Sequence, residues 1–318
     1  MTFQILALSG GGFFGYYTAC VLARLEERLD TALARHFDLL AGTSVGGIIA
    51  LGLSKGVPAR TIREAFEEAG TRIFSDRSKP EGVVETLGDV ARGAMGPKFN
   101  APALRETIAA ILGEDTRLGD LDSRVMIPAV DLGGAQAHLF TNYRDEDADL
   151  RAVDVGMATT AVPTFFPMAA IGGRLFADGG LFANAPDHIA AEEAVHRLSV
   201  SERSLRVLSV GTASMTFHFP EDAGPEMGGI EWLMNERLMR TTMAAQQSSV
   251  VTLMRQRLGD RFYRIDSVQT PAQQDVLGLH VATKRAQRLL SEMADAAVAD
   301  IAGDEELARF LRHGAKTR

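Results

Sequence analysis

Apolar residues near the start of the chain fall into short continuous runs, separated by stretches in which they recur every three or four positions. FQILALS (3–9) and FDLLAG (37–42) read as strands, while TACVLARLEERL (18–29) and VGGIIALGLSKG (45–56) have helical spacing. This strand–helix–strand–helix order predicts parallel pairing. Further strand-like runs follow at RVMIPAVD (124–131), AHLFTN (137–142), GRLFAD (173–178) and LRVLSVG (205–211). Pro128 within the first of these predicts an edge or a bulge there. Helical patterns cover 187–197, 232–258 and 279–311. In the last, Leu289, Met293, Ala297 and Ile301 form one apolar face of a surface helix pair. Without repeats or a low-complexity linker, residues 1–318 read as one α/β domain.

Residues 71–103 break the pattern. Pro80, Pro97 and Pro102 and glycines 82, 88, 93 and 96 flank a helical stripe at Val83, Leu87, Val90 and Ala94. Two readings stay open here, a lid or membrane-touching flap and a loop-rich excursion packed on the domain.

The bulk properties set limits on these elements. A chain of 318 residues with 46% hydrophobic and 23% charged residues has the make-up of an ordinary soluble globule. Its formal charge of −8 argues against DNA or RNA as the main partner. The lone cysteine, Cys20, excludes an internal disulfide, fits a reducing cytosol and reads as a packed core thiol. No basic region precedes the first strand, so no secretory leader is expected. Two uncharged stretches, Leu39–Ser54 and Val155–Gly173, are too short or too rich in Gly, Pro and Thr to span a bilayer. Any membrane contact is therefore expected to be peripheral.

Three short stretches carry candidate chemistry. LLAGTSVGGIIA contains G-x-S-x-G as Gly42, Thr43, Ser44, Val45 and Gly46, with an apolar strand running in and an apolar helix running out. A nucleophile elbow needs that context, because a sharp turn with small neighbours lifts the serine oxygen clear of the sheet. A helix N-cap serine in a tight turn fits the same residues. In GRLFADGGLFANAP a run ends at Asp178-Gly179-Gly180, which either holds a carboxylate at a strand end as a base or forms a common turn. The loop GGGFFG (10–15) matches the dinucleotide fingerprint G-x-G-x-x-G, but the second strand ends in Gly-Thr-Ser rather than an acidic residue. No Walker lysine follows either. What remains is a set of backbone amides beside a serine, as in an oxyanion hole.

Taken in order, GGGFFG, GTSVG and DGG resemble the motifs of the patatin-like phospholipase family, and ATTAVPTFFP (158–167) is similar to that family as well. The resemblance implies a three-layer sandwich with a mostly parallel central sheet and helices on both faces. It also implies Ser44 as nucleophile, Asp178 as the base of a Ser–Asp dyad and Gly10, Gly11 and Gly12 as oxyanion donors. Gly42 and Gly46 would shape the elbow, and no cofactor or metal would be needed. One position departs, since the family carries Arg or Lys where this chain has Phe14. YYTACVLARLE, LRVLSVGT and RLGDRFYRID further resemble the bacterial branch switched on by cyclic dinucleotides in anti-phage (CBASS-type) signalling. That branch implies a cytoplasmic enzyme acting on the inner membrane face, a cyclic dinucleotide activator and assembly into a homo-oligomer.

Between Trp232 and Arg264 six arginines face two acids, a local excess that could meet a ligand with two phosphates or simply form a solvated helix face. Two alternatives compete with the dyad. One is an esterase triad that recruits His188 or His218. The other is a catalytically impaired nucleotide sensor marked by Phe14.

Overall fold

Strand β1 (Phe3–Leu8) lies inside the sheet, paired in parallel with β2 (Leu39–Gly42) on one side and β7 (Leu205–Val210) on the other. The computed structural model describes residues 2–74, 88, 96–213, 217–219 and 224–315. Its eight-stranded sheet also contains β3 (Val125–Asp131), β4 (Gln136–Thr141), β5 (Ala169–Ile171), β6 (Arg174–Asp178) and β8 (Phe262–Ile265). The order is β5-β6-β3-β2-β1-β7-β8, with β4 paired to β3 off that path. Pairing is parallel from β3 through β8, as the alternating pattern predicts. It is antiparallel where β4 and β6 meet β3 and where β5 meets β6.

Pro128 sits at neither an edge nor a bulge. β4 pairs with β3 from Met126 to Asp131 along one side. On the other side β2 covers Val125 and Met126, and β6 covers Ala129 to Asp131. Pro128, which has no N–H to give, falls where β2 leaves and β6 joins. That divergence opens the sheet at the C-terminal end of β2.

The period-2 alternation of β1 separates two cores. Leu6 and Leu8 join the larger one, with α1 (Gly15–Glu26), α2 (Val45–Ser54), α3 (Ala59–Ile73), α4 (Ala101–Leu112) and α5 (Ala152–Thr159). Ile5 and Ala7 join the smaller one, with α6 (Asp187–His196) and α7 (Arg237–Leu258). Helices thus cover both faces, giving the three layers that the family resemblance implies. Cys20 is fully buried in α1, and burial pushes its thiol up to about 11.

The C-terminal block forms α8 (Lys284–Asp300) and α9 (Glu305–Leu311). The buried seam of α8 runs through Ala286, Leu290, Met293, Ala294 and Val298, turned by about one residue from the predicted stripe; Leu289, Ala297 and Ile301 flank it half-buried. Of the 71–103 excursion, residues 75–87 and 89–95 lie outside the described residues, and with them Val83, Leu87, Val90 and Ala94. The described flanks carry Phe74 and Lys98, which line the cavity below.

Candidate active site

Gly42 ends β2 and Val45 begins α2, which leaves Thr43 and Ser44 to make the whole turn. Ser44 adopts φ 55°, ψ −125°, a conformation costly for a residue with a side chain. Three hydrogen bonds brace the turn. The Ser44 N–H donates to Thr159 Oγ1 at 2.9 Å, and the Thr159 hydroxyl donates to the Pro128 carbonyl at 2.6 Å. The Thr43 hydroxyl donates to the Ala183 carbonyl at 2.6 Å. Close packing makes Gly46 obligatory, because a β-carbon there would lie 2.4 Å from the Leu8 carbonyl oxygen. The Ser44 side chain makes no cap to α2, so the N-cap reading gives way to the elbow.

Asp178 closes β6, and its carboxylate is the acceptor that Ser44 meets. Ser44 Oγ donates to Asp178 Oδ2 at 2.7 Å, while the Gly180 N–H donates to Oδ1 at 2.6 Å. Ser44 is 5% exposed and Asp178 4%. Burial pushes the carboxyl up to about 7, a rise that the hydrogen bonds from Ser44 and Gly180 only partly offset. A carboxylate of that pKa is a competent proton acceptor at neutral pH, unlike an aspartate in water.

The three glycines of the opening loop have different fates. The Gly10 N–H is committed to the Asn184 carbonyl at 2.8 Å, and the Gly10 carbonyl accepts from Asn184 Nδ2 at 3.3 Å and Thr212 Oγ1 at 3.2 Å. Gly11 and Gly12 line the cavity, and no acceptor among the described residues takes their N–H groups. Gly12 has φ +55°, and a β-carbon on it would lie 2.3 Å from the Leu279 carbonyl oxygen, which already accepts from the Phe13 N–H at 2.7 Å. From behind, buried Arg264 donates to Ser9 Oγ at 3.0 Å and pairs with Asp266 at 2.6 Å, steadying the residue just before the glycines.

Ser44 and Asp178 face a cavity of about 490 Å³. Its wall is mainly apolar and aromatic, with Phe13, Phe66, Ile73, Phe74, Phe165 and Phe166 among the lining side chains. Phe14 is not among them. It is 1% exposed within the larger core, so its departure from the family pattern removes no side chain from this cavity.

Among the described residues the cavity lining contains no histidine. His188 Nδ1 lies 3.4 Å from Arg257 Nη1, and the backbone N–H of His218 donates to Gln274 Oε1. Neither enters a triad with Ser44. The described residues also hold no group of three or more His, Cys, Asp or Glu side chains placed to bind a metal.

The arginine-rich stretch is largely consumed inside the fold. Arg240 is buried, with its guanidinium 4.5 Å from the centre of the Phe217 ring. Arg257 pairs with Glu192 and Glu202, Arg261 donates to the Glu202 and Leu205 carbonyls, and Arg264 pairs with Asp266.

Thr159, Asn184 and Thr212 are site residues that motif reasoning did not single out. Thr159 and Asn184 do fall within the two family-like stretches around the aspartate. Thr212 follows the end of β7 and closes LRVLSVGT, the stretch that resembles the cyclic-dinucleotide branch, but nothing in that stretch marks it as a site residue.

A serine on a strained strand-to-helix turn, hydrogen-bonded to a desolvated aspartate beside an apolar cavity, is an arrangement suited to a hydrolase of esters with apolar acyl groups. The chain belongs to the patatin-like phospholipase family, whose profile it matches over residues 6–191. It is 36% identical to a cGAMP-activated phospholipase of Pseudomonas aeruginosa over 99% of this chain and 93% of that protein. A cGAMP-activated phospholipase of Escherichia coli is 30% identical over 98% and 94%. One of Vibrio cholerae is 33% identical over 77% and 74%. Among the described residues, no helix is long and apolar enough to cross a membrane.

Proposed function

We propose that this chain hydrolyses the fatty-acyl esters of membrane phospholipids through a Ser44–Asp178 dyad, and that a cyclic dinucleotide of the cGAMP type switches it on. The observation that carries the chemistry is the 2.7 Å hydrogen bond from Ser44 to a buried carboxylate at an apolar cavity. The activator rests on the cGAMP-activated relatives, which align over most of the chain. Work at the inner membrane face, in anti-phage signalling, belongs to the same proposal.

In the first half-reaction Asp178 takes the Ser44 proton as Oγ bonds to the ester carbonyl carbon. The carbonyl oxygen becomes an oxyanion, met by the free N–H groups of Gly11 and Gly12; Gly10 anchors the loop instead of donating. The lysolipid oxygen leaves with the proton from Asp178. Water then gives a proton to Asp178 and attacks the acyl-serine, the fatty acid departs, and the proton returns to Ser44. The apolar cavity holds the acyl chain throughout.

The test is turnover of a short-chain nitrophenyl ester and labelling by a fluorophosphonate, with and without cGAMP. Wild type is expected to show both, raised by cGAMP, and Ser44→Ala to show neither at an unchanged melting temperature. Persistent labelling of Ser44→Ala removes Ser44 as the nucleophile.

A further inference from the structure

Ser44 is 5% exposed, so a lipid ester reaches it through the mouth of the cavity. Much of the exposed apolar lining lies on the one-turn helix Gly180–Ala183, the short helix Gly229–Leu233 and the start of α7, and we take this side as the mouth. Leu181, Leu233 and Leu238 border it, and they are 49%, 54% and 51% exposed although each also lines the cavity. Ile230, on the same turn as Leu233, is 56% exposed. The Phe219 ring meets the Trp232 ring at 5.6 Å, and Phe219 is 36% exposed. Large apolar side chains held in water are costly, and when they gather at one place they mark an interaction surface.

The occupant follows from where the patch sits. It is continuous with the apolar wall of the cavity, so whatever covers the rim also controls access to Ser44. A protein seated there would close the route to the serine. A lipid surface does the opposite, because it covers the rim and delivers an acyl chain through it. Half-buried Trp232 at the boundary suits an interface where one end of a side chain is apolar and the other wet. The backbone here is short and capped rather than extended, since the Glu231 carboxylate accepts from the Gly228 N–H at 2.7 Å. The apolar side chains therefore stand on a built turn.

We propose that the rim formed by Phe219, Ile230, Leu233, Leu238 and Leu181 is the bilayer-docking face of the protein, seating the cavity mouth against the lipid interface. Docking here presupposes the phospholipase function proposed above.

The experiment uses Phe219→Asp/Ile230→Asp, two positions outside the cavity lining. Binding is read by flotation with vesicles of phosphatidylethanolamine and phosphatidylglycerol, on chains that also carry Ser44→Ala, so that the measurement does not depend on turnover. Activity is read with cGAMP present, on the same vesicles and on a soluble short-chain ester, in chains that keep Ser44. The expected result is at least a tenfold loss of vesicle binding and of vesicle hydrolysis, with soluble-ester turnover and melting temperature unchanged. If the melting temperature falls, Ile230→Asp alone is read in the same way. Unchanged vesicle binding overturns the proposal, and so does an equal loss on the soluble ester, which would place these side chains in the cavity machinery. A shift from oligomer to monomer with vesicle binding retained assigns the rim to a second copy and also overturns it. Failure of the phospholipase reading looks different, because wild type then hydrolyses neither substrate while binding can still be measured.

Discussion

The Ser44 hydroxyl donates to Asp178 Oδ2 at 2.7 Å, and both side chains are more than nine-tenths buried. Hydrogen bonding and desolvation pull the carboxyl in opposite directions, and desolvation wins. The same imbalance that would suit Asp178 to its proposed role as base also places a charge where the fold tolerates it poorly.

A pH signature follows for both activity and stability. With the carboxyl pushed up to about 7, kcat/KM for a soluble ester should climb with pH and level off above neutrality. In the unfolded chain the same group titrates near 4, so between about pH 4 and 7 the fold holds the proton more tightly. Stability therefore falls as pH rises through that window, by roughly 4 kcal/mol in all. Asp178→Asn removes the penalty. The variant should be inactive yet melt higher than wild type at pH 8, with the difference closing towards pH 4. An Asn variant that melts lower at pH 8 would show that the carboxylate is not strained by burial.

Thr159 should prove as important to the elbow as the glycines. Its hydroxyl accepts from the Ser44 N–H and donates to the Pro128 carbonyl, linking the turn to the point where β2 and β6 part. Thr159→Val keeps the shape and orphans a buried donor and a buried acceptor, at about 1–3 kcal/mol each. Urea unfolding should show that loss, and kcat should fall because Ser44 is no longer held at φ 55°. Thr159→Ser should restore both. A Val variant with wild-type kcat would mean that the turn holds itself.

The parallel core is legible in the sequence because FQILALS and FDLLAG are short, largely apolar runs closed by glycine-rich turns and alternating with helical patterns, as in buried parallel strands. Ser44, Asp178 and the glycine loop are legible because a sharp turn and exposed amides demand small residues at fixed spacing. What stays hidden is whatever depends on a distant partner. Pro128 reads as an edge because pairing on its two sides cannot be seen, and the Gly10 amide reads as free because Asn184 lies 174 positions away. The excess of arginines leaves a ligand surface and a solvated helix face both open, because Glu192 and Glu202, which pair with Arg257, and the carbonyls that Arg261 meets lie far off in the sequence.

Phe14 shows the cost of reading a motif position without its surroundings. By family pattern, Phe14→Arg restores a cation and should raise activity. In the fold the ring is 1% exposed in the larger core beneath α1, so the substitution buries an unpaired charge. The outcome expected is loss of several kcal/mol and little soluble protein. Phe14→Leu, apolar and close in size, should cost only about 1 kcal/mol and keep ester turnover. A soluble, more active Arg variant would contradict the burial.

The unequal roles of the glycines predict unequal damage. Gly12→Ala places a methyl in a left-handed backbone (φ +55°) and 2.3 Å from the Leu279 carbonyl oxygen, so the loop must shift. If Gly11 and Gly12 receive the oxyanion, kcat should drop by about 100- to 1,000-fold, the usual consequence of losing one such donor. KM for a soluble ester should hardly move, because the ground-state ester makes little use of those amides. Asn184→Ala deletes only the Nδ2 contact to the Gly10 carbonyl and leaves the backbone bond from the Gly10 N–H, so the loop loosens without losing a donor. Its kcat should fall less, by about tenfold to 100-fold as misplaced groups do. Steady-state kinetics on both variants decides the matter. Equal losses, or a loss carried by KM in Gly12→Ala, would assign the oxyanion to donors outside this loop.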